Sequence, residues 1–261
     1  MNINYKKFVI KLAKDVGEVQ LKHFPKSGEI KSRNKTKFFG DIVTKVDMAA
    51  EKIVAAHAKK IGYKGKILME ESGETSFGDE DKRLIVDSLD GTFFYSKGFH
   101  NFCVAIALEE KGRRFMAVVY NPISDELFFA ERGKGTWLNG KKIHVSEAAD
   151  INRSTIILSA FPNHEIEMLQ KIFLKLMTTG GLRLLQHVLN LNLCYTAAGR
   201  YDGCIAFYSR LPEWDKFPGM LILEEAGGKI TDLNGAECKN DATKFIASNG
   251  KLHESLLRMV V

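Results

Sequence analysis

Asp87 and Asp90 stand three positions apart at the end of the apolar run "RLIVD", and Gly91 and Thr92 follow at once. Loops at strand ends are where α/β proteins place their chemistry. Two carboxylates there, with the backbone carbonyl of Leu89 between them, give the all-oxygen ligand set that hard divalent cations take. Gly91 lets the backbone come close to a ligand. Residues 91–96 are expected to open a short helix whose free N–H groups would face a phosphate, with the Thr92 hydroxyl beside the metal. A plainer alternative makes Asp90 a turn or N-cap residue and Asp87 a strand-end acid in water.

Acids recur at comparable places. "ILMEES" ends a strand-like run in Glu70-Glu71, "GDIVTKVDMAAEKI" sets Asp41 and Asp47 before a helix, and "PEWDKFPGM" sets Asp215 before another. Asp47 and Asp215 also suit helix N-caps by type and position. Carboxylates converging in one cleft repel each other unless cations neutralise them. The set as a whole therefore points to a metal centre.

These acids need elements to position them. Apolar residues at Tyr5, Phe8, Val9, Leu12, Val16, Val19 and Phe24 follow helical spacing, and Pro25 closes the run. Residues 26–40 are polar and predict a mobile loop or short hairpin. "MAAEKIVAAHAKKIG" predicts a second helix ended by Gly62. "KILME" and "RLIVD" predict strands, with "SGETSFGDEDK" as a polar loop between them. "NFCVAIALEE", "RRFMAVVYN" and "ELFFAER" predict an antiparallel set, and Asn139-Gly140 a hairpin turn. Beyond residue 150 strands and helices alternate: "STIILSA", a helix through "HEIEMLQKIFLKLM", a helix ending "AAG" with Gly199 as cap, "GCIAFY", the helix "FPGMLILEEAGG", "KFIASNG" and a final helix. Helices with a mostly antiparallel sheet come first, and a β/α alternation follows. A seam near Glu147–Arg153 fits two closely packed subdomains, 1–148 and 149–261. The expected class is α/β, with an α+β N-terminal half and an α/β C-terminal half.

The 261 residues suffice for one large domain or two packed ones. No apolar run approaches the length of a membrane span. The N-terminal twenty residues carry charges every few positions and lack an apolar signal core, so a cytoplasmic protein is expected. Cys103, Cys194, Cys204 and Cys238 are widely spaced and form no C-x-x-C pair, which predicts free thiols rather than zinc or disulfides. The net charge of +6 is mild, and the lysine excess over 22–37 suits a solvated face.

Taken in order, D-x-V-T-x-x-D at 41–47, Glu70-Glu71, D-x-[IL]-D-G-T at 87–92, "AERGKGTWLNGKKIHVS", W-D at 214–215 and "EEAGGKITDLNG" resemble the inositol monophosphatase family of magnesium-dependent, lithium-sensitive phosphatases. The resemblance spans nearly the whole chain. It implies a layered α-β-α-β-α sandwich of the sugar phosphatase type, usually a homodimer. It implies that Glu70, Asp87, the Leu89 carbonyl and Asp90 bind Mg2+, with Asp215 on a further ion, for two or three ions in all. Asp47 and Thr92, with Glu70, would orient and activate the attacking water. Gly91 and Thr92 would meet the phosphate, with Asp90 and Asp215 beside the substrate. Cys103 would be a packing residue.

The chain departs from that pattern at several places. Ser88 stands where proline is usual, and "FFYSKGF" after Gly-Thr is unusually aromatic. Phe217 and Pro218 replace two small residues after W-D, and Phe217 adds bulk behind a metal ligand. The Gly-Ser/Thr-Ala stretch ahead of the "AAG" helix is replaced by a segment with Gln186 and His187, and no acid precedes Glu213 on the following strand. His187 is a candidate substrate contact or a satisfied helix-start residue. Arg210 is a candidate second-phosphate contact or a solvated loop residue. The expected activity is metal-dependent hydrolysis of a small, inositol-phosphate-like monoester. Alternatives are a 3′-nucleotide or other sugar-phosphate phosphatase, and a regulatory protein that binds RNA or RNA polymerase on a phosphatase frame.

Overall fold

The computed structural model describes residues 3–25, 31–35, 42–160 and 165–260. Asp41 lies outside the described residues, as do 26–30 and 36–40 of the expected loop or hairpin. In chain order the N-terminal part holds α1 (Tyr5–His23), β1 (Ser32–Asn34), β2 (Ile42–Thr44), α2 (Lys45–Lys60), β3 (Lys66–Met69), β4 (Gly73–Ser76), β5 (Lys82–Asp90) and α3 (Thr92–Ser96). The antiparallel run follows as β6 (Cys103–Glu110), β7 (Arg113–Asn121), β8 (Glu126–Glu131), β9 (Gly135–Leu138) and β10 (Lys141–Ile143). Then come β11 (Thr155–Ala160), α4 (Ile166–Thr178), β12 (Leu182–Leu185), α5 (Leu189–Ala197), β13 (Gly203–Phe207) and α6 (Phe217–Glu225). The chain closes with β14 (Lys229–Thr231), β15 (Lys244–Ser248) and α7 (His253–Val260).

Three sheets form. β1 and β2 pair as a small hairpin. The order β10-β9-β8-β7-β6-β5-β3-β4 makes an eight-stranded sheet, and β12-β11-β13-β15-β14 a five-stranded one. The large sheet is antiparallel except where β3 runs parallel to β5. In the smaller sheet β11 runs parallel to β12 and β13, while β15 runs antiparallel to β13 and β14.

Side-chain alternation along the strands explains the layering. On β6, Val104, Ile106 and Leu108 face one way and pack with Leu12, Val16 and Val54 of α1 and α2. Cys103, Ala105 and Ala107 face the other way and pack with Leu193, Phe217 and Leu221 of α5 and α6. Both faces are apolar, as a sheet covered on both sides requires. The inner face is small because two helices press on it, and Ala105→Leu would overpack it at a cost of about 1–3 kcal/mol. Cys204, Ala206, Phe245 and Ala247 bring the five-stranded sheet onto the same middle helices. Its far face, with Ile156, Ile205 and Ile246, packs on Ile172 of α4 and Leu256 of α7. The result is the α-β-α-β-α sandwich: α1 and α2, sheet, α5 and α6, sheet, α4 and α7.

Several expectations shift at this level. β4 lies in the segment expected to be a loop; it is polar and exposed, and its backbone pairs with β3. β12 is a strand inside the apolar run that merges with the next helix in sequence. α2 starts at Lys45, earlier than its apolar spacing suggests, because Thr44 caps it. Asp47 is the third helical residue rather than the N-cap. Cys103, Cys194 and Cys204 are buried free thiols, and Cys238 is partly exposed.

Candidate metal and phosphate site

β5 delivers the first two acids. In a regular strand, residues three apart point to opposite faces. Here Asp87 pairs with Ala105 while Asp90 pairs with Cys103, so β5 advances three residues for two on its partner. This one-residue bulge turns both carboxylates the same way. The expected tight turn between them is thus an irregular continuation of the strand. Leu89 N–H donates to Asp87 Oδ1 at 2.9 Å, which fixes the first carboxylate.

Asp215 arrives from the C-terminal part of the chain, in the turn just before α6. The N-cap position of α6 is Lys216, so Asp215 is not the cap. Asp87, Asp90 and Asp215 each bring a carboxylate oxygen within 4.8 Å of the others. Burial pushes all three carboxyl groups up. Asp87 rises further because Glu70, Asp90 and Asp215 face it, and Asp215 because of Glu70 and Asp90. Asp90 is pushed up to about 7 by burial, with the Asn190 amide pulling the other way and Glu70 adding to the rise. Three acids of this kind, Asp87 and Asp90 buried and Asp215 partly so, resist carrying full charge together unless a cation sits among them. Their oxygen-only chemistry fits Mg2+, Mn2+ or Ca2+ rather than a softer metal.

Glu70 follows β3, beside β5. The Lys35 ammonium lies 2.6 Å from Glu70 Oε1 and also contacts Glu71. Burial lowers the Lys35 pKa, but the two glutamates more than offset it, and it sits above the usual lysine value. Lys35 also lowers the pKa of Asp215. At this position the lysine-rich stretch is therefore not a solvated face: β1 carries one cation onto the acids. Glu51, buried on α2, accepts from Glu71 N–H at 2.8 Å and from the Ser72 hydroxyl, anchoring the turn that bears Glu70.

Asp47 and Thr92 meet beside the acids. Asp47 Oδ2 accepts from Thr44 N–H at 2.8 Å while Thr44 Oγ1 accepts from Val46 N–H at 3.0 Å, a capping arrangement that locks the Asp47 rotamer. Asp47 Oδ1 remains for Thr92, whose Oγ1 lies 2.9 Å from it and 2.9 Å from the Leu89 carbonyl. Gly91 precedes α3 with φ +92°, and a Cβ there would stand 2.8 Å from Asn101 O and 3.1 Å from Val188 Cγ2. Only glycine fits both that angle and that space. The first-turn N–H groups of α3 have no intrahelical partner.

Sequence reasoning missed Asn190. It is buried on α5, and its amide donates to Asp90 Oδ2 at 3.0 Å and to Trp214 O at 3.0 Å, while its Oδ1 accepts from Gly219 N–H at 3.0 Å. Two amides, Asn190 and Asn192, in an otherwise largely apolar helix were the signal. Cys103 is more than packing, since its Sγ lies 3.7 Å from Asp90 Oδ2. Phe217 is fully buried in the central core with the Arg114 guanidinium 4.4 Å over its ring. Gln20 Nε2 donates to the Ser88 carbonyl at 2.7 Å, so Ser88 does serve through its backbone.

The expected substrate wall is arranged differently from the catalytic floor. His187 ends just before Val188, the N-cap of α5, and burial keeps its imidazole pKa low. Glu213 is held by Arg83, whose Nη2 is 2.5 Å from Glu213 Oε2. Arg210 is exposed. After β13, Tyr208 places its hydroxyl 2.7 Å from Ser159 Oγ and 3.2 Å from the His187 carbonyl.

Comparison with known proteins agrees with this layout. The profile of the Inositol monophosphatase family matches residues 2–261. A Thermotoga maritima protein named fructose-1,6-bisphosphatase/inositol-1-monophosphatase is 32% identical over 97% of this chain and 94% of its own. The Escherichia coli Nus factor SuhB is 33% identical over 95% of this chain and 92% of its own. Among solved structures, the extragenic suppressor protein suhB of Bartonella henselae superposes with a TM-score of 0.91 at 32% identity, covering 99% of this chain and 98% of that one.

Proposed function

Since the chain belongs to the inositol monophosphatase family, we propose that it is a magnesium-dependent, lithium-sensitive phosphomonoesterase acting on small phosphate esters in the cytoplasm. The observation that carries this reading is the convergence of Asp87, Asp90 and Asp215 from two separate parts of the chain. Acids brought together at such electrostatic cost mark a functional centre.

Glu70, Asp87, Asp90, Asp215 and the Leu89 carbonyl would hold two or three Mg2+ ions, with Lys35 leaving Glu70 as they bind. When bound, Mg2+ supplies charge neutralisation at the phosphoryl oxygens and makes water a better nucleophile at neutral pH. The N–H groups of Gly91 and Thr92 receive the phosphate oxygens. The Thr92 hydroxyl donates to Asp47 and keeps lone pairs for a hydrogen bond from the attacking water. That water loses its proton toward Asp47, its oxygen joins phosphorus, and the bond from phosphorus to the alcohol oxygen breaks. The departing oxygen takes a proton from solvent. Catalysis is then positioning and charge stabilisation, with no covalent enzyme intermediate.

A homodimer belongs to the same reading. α4 leaves Ile166, Phe173, Leu174 and Met177 exposed at 55%, 44%, 62% and 56%, an apolar stripe suited to a second copy.

The test is a panel of myo-inositol 1-phosphate, fructose 1,6-bisphosphate and 3′-phosphoadenosine 5′-phosphate, with and without magnesium and lithium. Release of phosphate that needs magnesium and falls with lithium supports the reading. Silence on every ester, with folded protein, removes it. A second reading draws on the similarity to Nus factor SuhB: a regulatory protein that binds RNA or RNA polymerase. It expects salt-sensitive association with either and weak turnover.

A further inference from the structure

A hollow of about 620 Å³ opens beside Gly91, walled by Phe94, Phe99, Asn101, Leu185 and His187 among others. Its link to the phosphate seat is direct. Asn101 and Val188, next to His187, are the residues that a Cβ on Gly91 would strike. Phe94 lies less than one helical turn beyond Thr92 on α3.

Its walls are mostly rings. Phe94 and His187 lie nearly parallel, 19° apart with centroids 6.1 Å apart. Phe99 folds back edge-on to Phe94 at 6.2 Å, held by a hydrogen bond from Phe99 N–H to the Phe94 carbonyl at 2.9 Å. Phe99 and Leu185 are 59% and 58% exposed, so their apolar surface faces the mouth.

A polyol gains little from the ring faces of these walls. Each of its hydroxyl groups gives up water on entry and needs a polar partner in return. Two groups outside the lining that could grip hydroxyls are engaged elsewhere, Tyr208 with Ser159 and the His187 carbonyl and Glu213 with Arg83, so the polar groups of the hollow are those of its own wall, His100, Asn101, Gln186 and His187. Ring faces and edges instead favour another flat ring, and the volume lies within the usual range for small-molecule pockets.

We propose that this hollow seats the leaving alcohol and selects esters whose alcohol carries a flat aromatic or heteroaromatic ring a short reach from the phosphate oxygen. The assignment rests on the phosphatase reading above and names the substrate class for that same centre.

Benzyl phosphate and cyclohexylmethyl phosphate provide the test, because their alcohols have similar size and acidity and differ in flatness. The expected kcat/KM ratio with magnesium is about tenfold in favour of benzyl, from two ring contacts. Phe94→Leu and, separately, Phe99→Leu should each bring the ratio toward one. A wild-type ratio near or below one, or myo-inositol 1-phosphate as the better substrate, overturns the proposal while leaving the phosphatase reading intact. The parallel measurement is calorimetric binding of 2-phenylethylphosphonate against 2-cyclohexylethylphosphonate, which needs no turnover. A preference for the phenyl compound that Phe94→Leu abolishes supports the pocket assignment even if no ester is hydrolysed, and equal affinities overturn it.

Discussion

The Asn190 amide nitrogen sits 3.0 Å from Asp90 Oδ2, joining an acid of the large sheet to a helix of the middle layer. The same nitrogen reaches the carbonyl of Trp214, next to Asp215, and the amide oxygen holds Gly219 on α6. One side chain thus sets the distance between acids that sequence places far apart. Asn190→Ala should weaken magnesium binding by about 10–100-fold, the usual cost of losing a partner of a metal ligand. Titrating activity and heat release against magnesium measures it. Asn190→Asp should do worse, because it adds a carboxylate beside Asp90 and removes the donor.

Asp90→Asn should reduce turnover by about 100-fold or more. It should also stabilise the metal-free protein, by about 1–3 kcal/mol, since it removes one of three mutually repelling acids. Thermal unfolding in chelator, compared with activity in magnesium, reads both changes. An Asp90→Asn protein that is both active and no more stable would contradict the role given to this residue.

Thr92→Val should lower kcat by about 10²–10⁴-fold with little change in magnesium affinity, because the hydroxyl serves the water rather than the ion. Asp47→Asn should lower kcat in the same way. It should also cost stability, since Asp47 closes the capping arrangement of α2. A kinetic comparison of kcat with the magnesium dependence separates these effects.

Metal-free stability should rise as pH is lowered from about 8 to about 7. Asp90 has a folded pKa of about 7, above its ordinary value of 3.8, and Asp87 and Asp215 are raised too. In this window the folded chain holds protons that the unfolded chain has released, so raising the pH disfavours folding. Saturating magnesium should flatten or reverse the slope, because it binds the deprotonated acids. Below the ordinary histidine pKa of 6.5 the rise should become shallower. His253, buried between Thr231 and Ser248, is pushed down to about 4 by burial, and the unfolded chain then takes a proton that the folded chain refuses. Melting curves with chelator and with magnesium across this range test each limb.

Much of this was readable from residue types and spacing. Helical periodicity located α1 and α2, apolar runs bounded by turns located β6 to β8, and Asn139-Gly140 located the β9–β10 turn, where Asn139 has φ +48° and Gly140 φ +79°. The ordered acids carried the family. What escaped depended on partners that sequence does not display. β4 is made a strand by the backbone of β3, not by its own side chains. Asn190 belongs to a helix whose other buried residues are mostly apolar, with Asn192 and Thr196 beside it, and only the arrival of Asp90 from another layer gives its amide a purpose. Lys35 looked like one solvated cation among many until β1 carried it to Glu70.

The irregular step in β5 has a consequence for how this chain can change over time. Losing a single residue at Ser88 or Leu89 would leave both carboxylates on one side of the sheet but remove the bulge, and with it the backbone carbonyl that now stands between them. Swapping Ser88, which is buried, for another small residue would, by contrast, leave the carboxylates where they are. The segment should therefore tolerate drift in composition far better than drift in length: here counting residues matters more than naming them.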